Sequence, residues 1–258
     1  MKKINIDTRI VLGLLLVLAG GLALLQSMGY LESASKVFWS GIFFAAALFF
    51  VVLLFGGHWW SAIPGFTLIG LGALILLPES LDEIGGAVFL GAIGLSFWYV
   101  YFTDRIGRWW ALFPAGTLTA LAALILVSIR YEEYSGAVFL GGVGLAFFLA
   151  YLTDRTQRWW ALIPGGVLMT LAAVVVFDAR FNNNFNTGGI FFLGLALTFL
   201  LVALLANMRW AYWPAGVLGV MGILGIASLF DFANYIWAIA LILAGGYLLL
   251  RYSRSPVS

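Results

Sequence analysis

The chain has 258 residues, of which 64% are hydrophobic and only 9% are charged, and its mean hydropathy is +1.07. A water-soluble domain of this size carries roughly 25% charged residues, so the composition excludes a soluble globular domain. The absence of cysteine excludes disulfides and thiolate metal sites, and a net charge of +2 argues against a nucleic-acid partner.

The apolar residues form successive stretches of about 18–22 residues, each long enough to cross a hydrocarbon layer ~30 Å thick. These stretches are continuous, whereas the strands of a membrane β-barrel alternate apolar and polar residues. The sequence therefore predicts an all-α integral membrane protein, a single membrane domain over 1–258 with about ten transmembrane helices. The expected spans are 9–29, 37–56, 59–78, 85–103, 109–128, 135–153, 159–177, 189–207, 210–230 and 233–251.

The first span has a second interpretation. Lys2 and Lys3, the apolar run Ile10–Leu25 and the small residues at 33–35 together resemble a signal peptide with its cleavage site. The apolar part is long, however, and it supplies the partner of the next helix, so we expect it to be retained as a structural helix.

A motif of two tryptophans, a short apolar stretch and a proline recurs along the chain. It reads HWWSAIP at 58–64, RWWALFP at 108–114, RWWALIP at 158–164 and, shortened, RWAYWP at 209–214. A second motif, GAVFLGAIGL at 86–95, returns as GAVFLGGVGL at 136–145 and as GIFFLGLALT at 189–198.

Duplication of a two-helix unit explains both motifs. The sequence predicts five tandem helical hairpins of about 50 residues, with repeat boundaries 1–57, 58–107, 108–157, 158–208 and 209–258. Since each unit contains two helices, every copy enters the membrane with the same polarity, which predicts parallel repeats about an axis along the membrane normal.

The charged residues are distributed unequally between the two membrane faces. The face that holds both termini has ten basic and three acidic residues, and the opposite face has three basic and eight acidic residues. This positive-inside bias predicts that both termini are cytoplasmic, in a bacterial inner membrane.

We interpret the tryptophan pairs as anchors at the cytoplasmic headgroup level, where an indole ring can hydrogen-bond while its body stays apolar. Arg108 and Arg158 are expected to reach into the phosphate layer beside them. An aromatic cage for a ligand is the alternative interpretation of the same residues.

The proline of each motif is expected inside its helix. From Pro114 to Ser128 there are too few residues to cross the bilayer, so the helix should begin near Trp109. A proline at that depth removes a backbone hydrogen bond and bends the axis. A static bend that serves packing is favoured over a gating hinge.

Small residues recur at helical spacing. Gly116, Ala120 and Ala123 share one helix face, and Gly166, Thr170 and Ala173 repeat them; Ala87 with Gly91 and Ala137 with Gly141 form similar pairs. In lipid, helices associate through such close-packing faces, so these predict tight hairpins.

Residues that could support chemistry are few. No ionisable residue falls within the predicted hydrocarbon depth, which argues against an ion-coupled carrier. His58 is interpreted as an interface residue. We expect Asp104 to pair with Arg108, and Asp154 with Arg158, as local ion pairs. The sequence predicts no enzyme, no cofactor, and no catalytic, cofactor-binding or metal-binding residue.

Two outer segments leave alternatives open. The outer loops contain the acidic residues Glu79, Asp82, Glu83, Glu132 and Glu133. These residues could bind a divalent cation or could simply belong to solvated loops, and solvated loops are favoured. The asparagine-rich loop 178–189, with Phe181 and Phe185, either docks a partner or folds back on the surface.

The stretch RIVLGLLLVLAGGLALL at 9–25, followed by a polar turn and VFWSGIFFAAALFF at 37–50, resembles the transmembrane module of the bacterial LiaI/LiaF-like family. YIWAIALILAGGYLLL at 235–250 is similar to the second helix of that module. The resemblance implies a role linked to cell-envelope stress sensing, in which the module restrains a sensor kinase or associates with envelope proteins. This chain departs from the family by its five hairpins and by lacking the soluble domain that often follows.

Three functions are compatible with these features. The first is a non-enzymatic inner-membrane scaffold, regulatory partner or subunit of a membrane complex, with the lipid bilayer and other membrane proteins as its partners. The second is a passive channel or facilitator formed by a pseudo-symmetric bundle of hairpins. The third, an enzyme acting on lipids, needs a polar cluster at one membrane face that the sequence does not supply.

Overall fold

The computed structural model describes residues 35–181 and 187–226, together with isolated positions between 13 and 28 and between 241 and 245. The described residues are helical throughout, with short connections. The helices are α1 (Ser35–Phe55), α2 (Ala62–Leu76), α3 (Gly85–Thr103), α4 (Leu112–Ser128), α5 (Glu132–Thr153), α6 (Leu162–Phe181), α7 (Thr187–Leu205) and α8 (Tyr212–Ile226).

Within the described residues, seven helical segments are long and apolar enough to cross a membrane. The chain is therefore a multi-pass helical membrane protein. The expected span 109–128 coincides with the segment Trp109–Ser128, and most other boundaries fall within three residues of the expected ones. The expected spans 9–29 and 233–251 lie outside the described residues, as does the end of the expected span 210–230.

Each even-numbered helix begins with a short 3₁₀ turn. These turns are Trp59–Ser61, Trp109–Ala111, Trp159–Ala161 and Arg209–Ala211, and each leads directly into an α-helix. The expected helix start near Trp109 is confirmed, because the turn Trp109–Ala111 and α4 form one segment that ends at Ser128. Pro114 is the third residue of α4, and N–H groups before it already donate within the helix, such as that of Ala111 to the carbonyl of Arg108. Pro114 therefore lies inside the segment as expected, and the bend of the axis stays a prediction.

The described helices form an open zigzag array. Each helix packs against the helices immediately before and after it in sequence, while α1 and α8 do not pack against each other. Alternate helices meet only near one end of the array. There the Tyr101 hydroxyl of α3 lies 3.5 Å from the Thr153 hydroxyl of α5.

Small residues make the closest contacts between helices. A Cβ added at Gly142 of α5 would lie 2.6 Å from the Cβ of Ala120 on α4, and one added at Gly116 would meet Ala146. Between α6 and α7 the corresponding contacts join Gly166 to Thr198 and Gly194 to Thr170. These reciprocal contacts bring the backbones close, and dispersion forces stabilise the pairs where lipid supplies no hydrophobic drive.

The small residues of α4 divide between two faces. Gly116 and Ala120 face α5, whereas Ala122 faces α3, where an added Cβ at Gly91 would lie 3.9 Å from it. Burial repeats along the chain position by position: residues 111–126 and 161–176 share the same sequence of buried, half-buried and exposed sites. The recurrence seen in sequence is thus a recurrence of packing for these two segments.

The odd-numbered helices carry large apolar side chains on their outer face. Leu95, Leu145 and Leu197 are 57%, 54% and 56% exposed, respectively. Each begins a run of exposed residues spaced like one side of a helix: Leu95, Tyr99 and Phe102; Leu145, Leu149 and Leu152; Leu197, Leu200 and Leu204. We call these nine residues the outer face. Its apolar character is that of a surface in contact with lipid or with other membrane segments.

Candidate functional site

The tryptophan pairs of the repeated motif lie together at one end of the array. The ring of Trp59 contacts that of Trp110 edge to face with centroids 6.4 Å apart, and Trp109 contacts Trp160 in the same way at 6.4 Å. The starts of α2, α4 and α6 are therefore on one side of the molecule. We call this side the tryptophan rim, defined by Trp59, Trp60, Trp109, Trp110, Trp159 and Trp160.

Phenylalanines of the odd-numbered helices complete the rim. The second tryptophan of each pair stands edge-on to a phenylalanine of the preceding helix: Phe50 with Trp60, Phe97 with Trp110 and Phe147 with Trp160, at centroid distances of 6.5, 6.3 and 6.3 Å. In the shortened fourth motif Phe199 meets Trp210 at 6.0 Å. Such pairs contribute about 0.5–1.5 kcal/mol each beyond the area they bury.

The arginines of the motif point toward the protein. The guanidinium carbon of Arg108 lies 4.5 Å from the ring centroid of Trp59, and that of Arg158 lies 4.5 Å from the ring centroid of Trp109. The expected position of both side chains beside the lipid phosphates stays a prediction. Each guanidinium covers the indole face that an aromatic cage would offer to a cationic ligand. At these two indoles the chain supplies its own cation.

The two arginines differ in their hydrogen bonds. Arg108 is half-buried, and its Nη1 donates to the hydroxyl of Thr103 at 2.7 Å. Arg158 is only 7% exposed, and its buried Nη1 has no partner among the described residues. The hydroxyl of Thr153, which corresponds to Thr103, donates to the carbonyl of Leu149 at 3.0 Å. The guanidinium of Arg158 thus lacks the threonine acceptor that Thr103 provides for Arg108.

The aspartates at the rim cap turns. In the described structure no direct salt bridge joins Asp104 to Arg108 or Asp154 to Arg158, so the close ion pairs that were expected are not formed. The charge of Arg158 nevertheless contributes to the lowered pKa of Asp154. A carboxylate oxygen of Asp104 accepts the N–H of Gly107 at 3.0 Å. Such a turn closes the loop locally and leaves the arginine side chain available for the neighbouring indole.

Asp154 caps its turn with more hydrogen bonds than Asp104 does. Its carboxylate accepts the N–H of Gln157 at 3.0 Å and both the N–H and the hydroxyl of Thr156, at 3.1 and 2.8 Å. The N–H of Gln157 and then the hydroxyl of Thr156 hold the pKa of Asp154 below its usual value of 3.8, since both stabilise the charged form. The exposed carboxylate is ionised at neutral pH and is occupied by its own loop.

The remaining two rim turns replace arginine by other residues. His58 is exposed, and its Nδ1 lies 3.2 Å from the carbonyl oxygen of Leu53. Met208 precedes the fourth turn, and both it and Trp159 pack against the same buried cluster. Gly57 directly precedes His58, and Asn207 directly precedes Met208. Their φ angles of 89° and 55° are those of the left-handed conformation that ends a helix.

The opposite end of the array carries the acidic residues of the outer loops. Glu79, Asp82 and Glu83 lie in the 3₁₀ segment Glu79–Ile84, and Glu132 and Glu133 begin α5. No group of three potential metal ligands comes together among the described residues. The loop expected over 178–189 is shorter than expected, because α6 continues to Phe181 and α7 begins at Thr187. Phe181 stacks on Phe177 with centroids 5.7 Å apart, and Phe185 lies outside the described residues.

A groove of about 350 Å³ lies between α6 and α7, lined mostly by apolar side chains such as Met169 and Leu197. The hydroxyls of Thr170 and Thr198 also line it. Both hydroxyls donate to carbonyls of their own helices, at 2.8 and 2.9 Å. These two hydroxyls are therefore engaged, and the groove is a hydrocarbon surface.

Comparison of the chain with protein-family models, with curated proteins and with solved structures finds no match. The function therefore has to be inferred from the geometry of the outer face and of the tryptophan rim. Sequence analysis missed Thr103 and the phenylalanines at 97 and 147. Their recurrence at the interval of the tryptophan motif, FW at 97–98 and FF at 147–148, was the available signal.

Proposed function

We propose that this protein is a non-enzymatic scaffold, regulatory partner or subunit of a membrane complex in the bacterial inner membrane. Its termini face the cytoplasm in this proposal, since the basic residues of the sequence cluster on the side of the tryptophan rim. The resemblance of residues 9–55 to the LiaI/LiaF-like module suggests a connection with the cell envelope.

The outer face is the observation that carries the proposal. The array uses alanine and glycine between its own helices and places leucine, tyrosine and phenylalanine outward. The result is a wide, continuous apolar surface that recurs from α3 to α5 to α7. Small residues have already been used for internal packing, so the large outward side chains are available to other membrane helices.

The rim supports a binding role over a catalytic one. Its guanidinium groups lie on indole rings, and the carboxylates of Asp104 and Asp154 accept hydrogen bonds from their own loops. A passive channel is the alternative. The described helices do not close into a ring, so a passage would require closure by other segments or by further copies.

Photo-crosslinking in native membranes tests the scaffold proposal. A photoreactive phenylalanine analogue at Leu145 or at Leu197 should yield the same protein adduct, because both positions belong to the outer face. The matched control is the analogue at Gly216 of α8, which has open space beside it but does not belong to the outer face.

Adducts that contain only lipid at both outer-face positions would argue against the proposal, as would a protein adduct formed equally at the control position. Solute flux into proteoliposomes of the purified chain would favour the channel instead.

A further inference from the structure

Arg158 presents an unusual energetic situation. Arginine stays ionised in proteins, and a buried guanidinium normally has hydrogen-bond acceptors around it. The side chain of Arg158 is 7% exposed, yet within the described part of the chain it makes no hydrogen bond, and its Nη1 is fully buried. Stacking on Trp109 is weaker than the hydrogen bonds that a buried charged group loses, and does not replace them.

The start of α6 has further donors without partners. Arg158 is the residue directly before the turn Trp159–Ala161, and no side chain caps this turn. Among the described residues the backbone N–H groups of Trp159 and Trp160 have no acceptor, since the first bond of the turn is donated by Ala161 to the carbonyl of Arg158. The positive end of the helix dipole therefore directly follows, in sequence, an arginine whose buried Nη1 has no hydrogen-bond acceptor.

The acceptors nearest in sequence make no hydrogen bond to the guanidinium, although the charge of Arg158 acts on Asp154 and helps to lower its pKa. Oδ1 of Asp154 accepts from Thr156 and Gln157, and the Thr153 hydroxyl donates to Leu149. The equivalent position on α4 differs on both points, because Arg108 is half-buried and has Thr103 as its acceptor. Among the described helix starts, only that of α6 combines a buried guanidinium that lacks a hydrogen-bond partner with open N–H groups.

We propose that the start of α6 binds one phosphate group, held by the side chain of Arg158 and the backbone N–H groups of Trp159 and Trp160. A phosphate oxygen supplies the anionic acceptor that this side chain lacks, and helix N-termini bind phosphate through their free N–H groups. The phosphate belongs either to a lipid headgroup at the rim or to free phosphate. The assignment does not depend on the scaffold role.

Native mass spectrometry of the full chain in detergent tests the assignment. Phosphatidylglycerol is titrated against a glycosyl diacylglycerol that has the same acyl chains and no phosphate. We expect one phosphatidylglycerol to bind preferentially, and Arg158→Gln to weaken this binding about tenfold, as loss of a charge-assisted hydrogen bond would. Arg108→Gln is the matched control and should leave the affinity close to that of the unchanged chain.

Inorganic phosphate distinguishes the two sources. Displacement of phosphatidylglycerol by millimolar phosphate identifies free phosphate as a ligand of the site, and resistance to displacement identifies the lipid headgroup; both support the site. Equal binding by Arg158→Gln and the unchanged chain overturns the proposal. So does equal loss in Arg108→Gln, or equal affinity for the glycolipid. If Arg158→Gln does not fold, Arg158→Lys replaces it: weaker binding supports the planar guanidinium contact, and unchanged binding overturns it.

Discussion

The close contact between α4 and α5 permits a quantitative test of the packing argument through Gly142→Ala. The added Cβ would lie 2.6 Å from the Cβ of Ala120 and 3.4 Å from its Cα. Carbon atoms pack at about 3.5–4.0 Å, so the two helices must separate by about 1 Å. Overpacking of this kind costs about 1–3 kcal/mol, against a gain of about 1 kcal/mol in helix propensity.

Gly136→Ala on the same helix is the matched control. An added Cβ at Gly136 meets no atom within 4 Å, so this variant should keep the propensity gain without the clash. We therefore expect the free energy of unfolding of Gly142→Ala to lie about 1–3 kcal/mol below that of Gly136→Ala. The measurement is reversible unfolding of the purified chain in mixed micelles with increasing denaturing detergent.

A swap of the two small residues makes the test sharper. In the double variant Gly142→Ala with Ala120→Gly, the interface again holds one methyl group, and the two propensity effects cancel. Its stability should return to within about 0.5 kcal/mol of the unchanged chain. A double variant no more stable than Gly142→Ala alone, or a Gly142→Ala chain as stable as the control, would refute the close-packing argument.

Two further predictions concern the ends of the helices. Because the chain has no cysteine, a membrane-impermeant thiol reagent applied to intact cells should label Glu133→Cys and spare Thr156→Cys, and the reverse pattern would contradict the proposed orientation. The lowered pKa of Asp154 implies that its stabilisation of the loop is present above pH 3.8 and is lost as the pH falls through the folded-state pKa. Amide exchange at Gln157, corrected for its intrinsic rate, should accelerate in that acid range, and Asp154→Ala should show the faster exchange already at neutral pH; equal protection in the two chains at neutral pH would argue against this turn.

The helices and the common side of the tryptophan motifs could be predicted from the sequence, because they depend on local composition and spacing. A run such as Trp109–Ser128 must be a helix in lipid, since no other element satisfies its backbone without water. The interval between the tryptophan motifs contains two such runs, and this alone predicts that Trp59, Trp109 and Trp159 begin their helices on one side. The contacts Trp59–Trp110 and Trp109–Trp160 agree with that prediction.

Only the tertiary structure decided the side-chain partners and the packing faces, because these depend on which residues of other helices lie nearby. The i, i+4 spacing of Asp154 and Arg158 allowed an ion pair. In the structure the carboxylate of Asp154 instead accepts hydrogen bonds from its own loop, and the guanidinium of Arg158 lies on the ring of Trp109. Likewise, small residues at helical spacing predicted close packing without showing that Gly116 and Ala122 face different helices. Composition and periodicity determined the apolar medium, the helices and the common side on which the tryptophan turns lie. Contacts between segments far apart in sequence decided which indole ring each arginine covers and which helix each small residue faces.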